Sequence, residues 1–318
     1  METPRLLADI GATNARFALQ HPGGAISAIE ILGADDFASV ASAINAYCKL
    51  HPASIQHAVI AIANPVNGDE VSMTNRNWSF SIAGLREALG LQTLLVVNDF
   101  AALARAIPLL GPAQLKQLGG MAANPEGCIG VIGPGSGLGV AGLMPHDGHW
   151  KVIAGEGGHV SFAPNDVREC DILDYGRQQY GHLSVERLLS GPGLELIHQA
   201  LAARAQLSVP GRRAAEISQA AATGDTLCLE VLECFSAILG SVAGNLALTL
   251  GATGGIYIGG GIVPKLGTLF DEQRFRECFE AKGRFKNYLR AIPCYRIEAG
   301  TPAFTGAAAL LDEHLRRR

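Results

Sequence analysis

The chain has 318 residues, enough for two domains or one large α/β domain. Hydrophobic residues make up 48% and charged residues 17%, with a formal net charge of −4; this suits a soluble protein with a large core and argues against a nucleic-acid partner. Seven scattered cysteines without a C-x-x-C pair argue for reduced thiols in the cytoplasm, and against a disulfide framework or a thiolate zinc site.

In chain order, Arg5–Gly11 reads as a strand, Asn14–Gln20 as a second and Ala25–Leu32 as a third after a His21-Pro22-Gly23-Gly24 turn. Helical spacing over Phe37–Leu50 follows, with Asp35 or Asp36 as the expected N-cap. Ala58–Ala63 is a strand, Val71–Phe80 holds a polar excursion (Thr74-Asn75-Arg76-Asn77-Trp78), and Ile82–Leu89 is a helix. Leu94–Val97, four apolar residues of which two are β-branched, is a buried strand ending in Asn98-Asp99 before a small-residue helix. Pro108-Leu109-Leu110-Gly111-Pro112 punctuates the chain as a boundary would. Strands then follow at Cys128–Ile132, Leu138–Leu143 and Trp150–Ala154, and helices at Asp166–Tyr180, Gly193–Ala205 and Asp225–Leu250. Ile256–Ile258 and Pro293–Glu298 are late strands, and Pro302–Leu315 is a final helix. Both halves thus run as a strand meander followed by alternation, which is not the order of a dinucleotide-binding fold.

No secretory leader is expected, because strand-like sequence begins by Arg5. The apolar window Phe235–Leu250 contains Asn245 and glycines and is short for a membrane span, so a buried helix and no membrane partner are expected. The basic run Arg316-Arg317-Arg318 reads as a solvated tail.

Chemistry concentrates where strands end. Ligands of α/β sheets collect beyond the carboxyl ends of strands, which is where Asn98 and Asp99 fall. Asp99 suits a proton acceptor for a hydroxyl attacking a phosphoryl group, and equally suits a helix cap; the stretch alone leaves both open. Asp9-Ile10-Gly11-Ala12-Thr13-Asn14 puts an acid before a tight turn whose N–H groups can face an anion. Asp9 could hold a hydrated Mg²⁺, with Thr13, Asn14 and Arg16 as donors to phosphate; a plain polar hairpin is the competing reading. The 39 glycines cluster at strand ends, notably in the turn Gly133-Pro134-Gly135-Ser136-Gly137-Leu138-Gly139. The alternating glycines there exceed what a hairpin needs and would let backbone approach a triphosphate.

Gly137-Leu138-Gly139-Val140-Ala141-Gly142 fits G-x-G-x-x-G, but it runs along a strand instead of opening a helix, so a nicotinamide or flavin site is rejected. There is no G-K-[S/T] sequence and hence no Walker A loop. Glu156 and His159, three apart in a glycine-rich turn, could pair with sugar hydroxyls; zinc is not expected there. Taken by itself, Glu186 reads as an exposed helix residue. Gly259-Gly260-Gly261 after a buried strand could lie under a flat base or simply form a tight turn.

Together, Asp9–Arg16, Met73-Thr74-Asn75, Asn98-Asp99-Phe100, Gly135–Val140, Gly155–Val160, Ser190–Leu194, Gly244–Leu248 and Gly259–Pro264 resemble the bacterial ATP-dependent glucokinases of the actin-like sugar-kinase superfamily. In this order and spacing the motifs are highly specific and cover essentially the whole chain. The resemblance implies an α/β, two-domain actin-like (ribonuclease H-like) fold with a cleft that closes on sugar. It implies a small domain of residues 1–109 plus 300–318 and a large one of residues 110–299. It further implies that Asn98, Asp99, Glu156, His159 and Glu186 hold glucose, with Asp99 as general base. Asp9, Gly11, Ala12, Thr13 and Asn14 would serve phosphate, with Asp9 reaching Mg²⁺ through water. Gly135, Ser136 and Gly137 would cradle the phosphates of ATP, and Gly259, Gly260 and Gly261 would border adenosine. A homodimer is also implied. Ala12 is a departure, since the family pattern commonly has a second glycine there. The alternatives are a kinase of another hexose or amino sugar, and a non-catalytic sugar-binding regulator. The regulator would be expected to carry a DNA-binding segment before the first strand and to have lost Asp9 or Asp99.

Overall fold

The computed structural model describes residues 3–73 and 77–317. Thr74, Asn75, Arg76 and Arg318, named above, lie outside the described residues. The chain divides into two compact units, Met1–Leu110 with Ala299–Arg318, and Gly111–Glu298.

The first unit opens with the meander β1 (Arg5–Ile10), β2 (Asn14–Gln20) and β3 (Ile26–Gly33), then α1 (Val40–Leu50) and β4 (His57–Ile62). A short hairpin of β5 (Glu70–Ser72) and β6 (Ser79–Ser81) follows, then α2 (Ile82–Ala88), β7 (Thr93–Asn98) and α3 (Asp99–Ala106). The main sheet has the order β3-β2-β1-β4-β7, antiparallel within the meander and parallel from β1 through β4 to β7. β4 is buried on both faces, which explains its unbroken apolar run. On one face, Ile44 and Tyr47 of α1 join Leu6, Ala8, Phe17 and Ile60 in a core. On the other, Phe304, Ala307 and Leu311 of the C-terminal helix (Pro302–Arg316) join Leu7, Ala18, Val59 and Ala102.

Neither Asp35 nor Asp36 caps α1. They lie in a short 3-10 turn, and Ser39 is the cap, accepting from the Ser42 N–H at 3.1 Å while Ser42 Oγ accepts from the Ser39 N–H. The reciprocal Ser–Ser arrangement satisfies two donors at once, which an isolated aspartate three residues earlier cannot reach.

The second unit repeats the plan. β8 (Leu115–Gly119) precedes the meander β9 (Ile129–Pro134), β10 (Leu138–His146) and β11 (His149–Gly155). Then come α4 (Val167–Tyr180), α5 (Gly191–Arg204), α6 (Ala214–Ala222), α7 (Thr226–Leu250) and β12 (Gly255–Ile258). The unit ends with α8 (Ile262–Leu266), α9 (Glu272–Glu280), α10 (Lys286–Ala291) and β13 (Cys294–Ile297). Its sheet order, β11-β10-β9-β12-β13-β8, is the first unit's order with one antiparallel edge strand added. This doubled meander-then-parallel arrangement is the ribonuclease H-like fold of the actin-like kinases. α7 is long and apolar enough to cross a membrane, but 72% of its most apolar stretch is buried, and Val231, Phe235, Ile238 and Ala243 form core.

Several elements escape the sequence pattern. β5 and β6 have three residues each, and α9 (EQRFRECFE) buries only Phe275 and Phe279, too few to set a period. β8 is an edge strand with a single buried side chain, Leu118.

Candidate active site

In the first unit, the register aligns the carboxyl ends of three parallel strands: Ile10 pairs with Ile62, and Ile62 pairs with Asn98. The Asp9–Asn14 hairpin and the Asn98-Asp99 pair therefore share one edge of the sheet, about 10 Å apart by two strand spacings. The hairpin turn is closed by the Gly11 N–H on the Asn14 carbonyl at 3.0 Å, and Thr13 points to solvent while its carbonyl accepts from the Ala34 N–H at 2.9 Å. Arg16, opposite Asp9 in the register, donates to Asp9 Oδ2 at 3.0 Å. Burial pushes the Asp9 carboxyl up from its ordinary range, and Arg16 opposes that rise. Ala12 is not among the residues with positive φ, so its backbone does not require the family's glycine.

Asn98, not Asp99, is the N-cap of α3: its Oδ1 accepts from the Ala101 N–H at 3.1 Å. Asp99 is the first helical residue, with Oδ1 accepting from the Phe100 N–H at 2.8 Å. The cap reading of Asp99 is corrected because a cap must sit in extended backbone one residue before the helix, as Asn98 does at φ −67 and ψ 143. Asn98 Nδ2 also donates to the Asn64 carbonyl at 3.4 Å. Two of the amide's four hydrogen-bonding positions are thus used within the protein, leaving two for a ligand.

In the second unit, the turn Gly135–Gly137 joins β9 to β10 at the place the Asp9 hairpin holds in the first sheet. The Gly135 N–H donates to the Gly137 carbonyl at 2.8 Å. Gly135 has an ordinary φ, and a side chain there would meet only open space, so nothing in the fold demands glycine at this point. Ser136 is exposed. The Gly259–Gly261 turn follows β12, the parallel neighbour of β9, and the Gly259 N–H donates to the Ile132 carbonyl at 2.9 Å. Gly260, at φ +76, packs its Cα so close to the Pro134 carbonyl that any side chain would collide with it. The two glycine turns are therefore neighbours.

Glu156, His159 and Glu186 come together behind this turn. His159 Nε2 stands 4.0 Å from Glu156 Oε2, and His159 Nδ1 stands 3.9 Å from Glu186 Oε1. These separations exceed direct hydrogen bonds, so the three polar ends remain available to a hydroxyl-rich ligand. Glu156 and His159 are half or more exposed, at 50% and 61%. Glu186 departs from the exposed-helix expectation. It lies in the 3-10 turn Val185–Arg187, is part-buried, and its Oε2 accepts from the Leu138 N–H at 2.8 Å. A long-range partner 48 residues away holds it, which local spacing cannot reveal.

The sequence reading gave Ser190-Gly191 no role in the site. Ser190 caps α5, accepting from the Gly193 N–H at 3.1 Å, and the Gly191 N–H donates to the Gly135 carbonyl at 3.0 Å, so α5 begins at Gly191 instead of Gly193 and its first turn meets the glycine turn. The Ser-Gly-Pro-Gly run at a helix start was the available signal. No group of three His, Cys, Asp or Glu side chains placed to hold a metal ion occurs among the described residues, and all seven cysteines are free thiols.

A family model described as Glucokinase matches residues 6–314. The chain is 54% identical over 317 residues to a bifunctional protein glk of Burkholderia pseudomallei (strain 1710b), covering 99% of this chain and 50% of that protein; it thus spans half the length of the bifunctional relative. It is 51% identical over 317 residues to a glucokinase of Chromobacterium violaceum, covering 99% of this chain and 91% of that one. The crystal structure of a glucokinase from an Antarctic psychrotroph superposes with a TM-score of 0.87 at 36% identity, over 98% of this chain and 100% of that chain. On the family match and the near full-length relative, the chain belongs to the glucokinase family.

Proposed function

We propose that this protein transfers the γ-phosphoryl group of ATP to the 6-hydroxyl of D-glucose, giving glucose 6-phosphate and ADP. The observation that carries the reading is Asp99, a carboxylate at the carboxyl end of β7 on the same sheet edge as the Asp9 hairpin. Asn98, Asp99, Glu156, His159 and Glu186 are the residues that hold glucose in this reading. Asp99 takes the proton of the 6-hydroxyl as that oxygen attacks phosphorus and the bond to the β-phosphate oxygen breaks. Amides of the Gly11–Asn14 and Gly135–Gly137 turns other than those of Gly11 and Gly135, which close the turns themselves, stabilise charge on the phosphate oxygens without reorganising, which is where such donors act most strongly. The Gly259–Gly261 turn borders adenosine.

The donor set suits Mg²⁺: a single carboxylate fits an ion that keeps most of its water and takes its other ligands from phosphate. Asp9, drawn on one oxygen by Arg16, is the residue that would hold it through water, and the ion would screen the phosphate charge during transfer. A homodimer working in the cytoplasm belongs to the same reading, and a mass measurement by light scattering tests the assembly.

The deciding assay is ADP release from ATP and Mg²⁺ against a panel of sugars. Glucose is expected to exceed mannose, fructose and glucosamine in kcat/KM by about tenfold or more, since one unpaired hydroxyl contact in a polar site costs at least that. Release that ignores the sugar, or that favours another hexose, overturns the reading.

A further inference from the structure

Leu138, the residue that ends the glycine turn, is gripped from two sides. Its N–H is taken by Glu186 Oε2 at 2.8 Å. Its carbonyl lies so close to the Cα of buried Gly158 that any side chain at 158 would collide with it. Gly137 packs under the Glu186 carboxylate, so a Cβ there would push that carboxylate aside. The segment that carries Glu186 also ties the far end of the turn, through the Gly191 N–H on the Gly135 carbonyl at 3.0 Å. The other Glu186 oxygen faces His159 at 3.9 Å. The side chains assigned to the sugar are thus built directly on the back of the turn assigned to phosphate.

From this arrangement we propose that Glu186 couples the two substrates: hexose bound at Oε1 fixes the carboxylate, and Oε2 then fixes the Leu138 N–H and the turn that receives ATP. The proposal rests on the glucose kinase reading above and adds to it a positioning role toward the nucleotide. A carboxylate can do both tasks because it has two acceptor oxygens, whereas a glutamine has one. Coupling between sites is reciprocal, so nucleotide must tighten glucose by the same factor that glucose tightens nucleotide.

The test is calorimetric titration of a non-hydrolysable ATP analogue with Mg²⁺, with and without saturating glucose, and of glucose with and without the analogue. Wild-type protein is expected to gain about tenfold in affinity in each direction, within the ordinary range of such couplings. In Glu186→Gln, and in Gly137→Ala, which keeps the carboxylate but pushes it off Leu138, that ratio should fall to within about twofold of unity. General damage to the fold would weaken both ligands and leave the ratio unchanged. Variants that keep the wild-type ratio, or a wild-type protein that binds both ligands without mutual effect, overturn the coupling alone. A wild-type protein that takes the analogue but gives no heat with glucose overturns the substrate reading, and the coupling falls with it.

Discussion

Two adjacent side chains at the end of β7, both assigned to the proposed site, make different local contacts. Asn98 closes α3 and ties it to the Asn64 carbonyl, while Asp99 stands one residue further on with its Oδ1 beside the Phe100 N–H. Asp99→Asn keeps the shape and removes the proton acceptor, so the protein should fold and bind glucose while kcat falls by about 10²–10⁴-fold, read in the coupled ADP assay. An Asp99→Asn protein within a few-fold of wild type would remove the base assignment. Asn98→Ala should instead cost stability, about 1 kcal/mol for the lost cap, visible as a lower denaturation midpoint. Sequence placed both residues at the end of a strand but could not assign the cap, because the choice depends on which of them takes extended backbone.

At the scale of elements, the helix that starts at Asp99, the proposed base, packs closely on the C-terminal helix. Gly306 of the C-terminal helix lies against the Ala102 carbonyl of α3, and a Cβ there would collide with it. Gly306→Ala should therefore push the helices apart and destabilise the protein by about 1–3 kcal/mol in denaturant unfolding, the usual cost of overpacking. An unchanged midpoint would show that the contact is not tight. α7 gives a pH prediction. Its cap, Asp225, accepts from the Cys228 N–H at 3.0 Å and from Arg212, whose hydrogen bond holds the carboxyl down at about 2 against an ordinary 3.8. A depressed carboxyl adds stability above its unfolded value and loses it as pH falls toward the folded one, so the contribution is present above about pH 4 and disappears toward pH 2. Asp225→Asn should flatten the dependence of Tm on pH in that window. The effect should be modest, because the pair is partly solvated, at 32% and 30% exposure. Equal slopes for the two proteins would dismiss the pair as a contributor.

For the molecule as a whole, the first unit is not contiguous in sequence. Residues 299–318 return to it, and Phe304, Ala307 and Leu311 are almost wholly buried on the β1–β4 face. A chain ending at Glu298 should lose the cooperative unfolding of that unit and bind a dye specific for exposed apolar surface, since burying each large side chain contributes about 1.5–3 kcal/mol. Retained cooperative unfolding would show that the helix is dispensable.

Much of this was fixed by local chemistry. The strand meanders at Arg5–Gln20 and Ile129–Gly155, the buried α7 and the glycine runs at strand ends follow from hydrophobic period and turn residues, and element order was enough to expect two repeats of one plan. Those signals act over a few residues, so the chain carries them unaided. What only the tertiary structure decided are the partnerships: Glu186 with Leu138 across 48 positions, Gly191 with Gly135, Gly306 with Ala102, and Arg16 on a part-buried Asp9. Each depends on register and packing between segments far apart in sequence, and a residue type records what it can bond to, not which distant group the fold will bring to it.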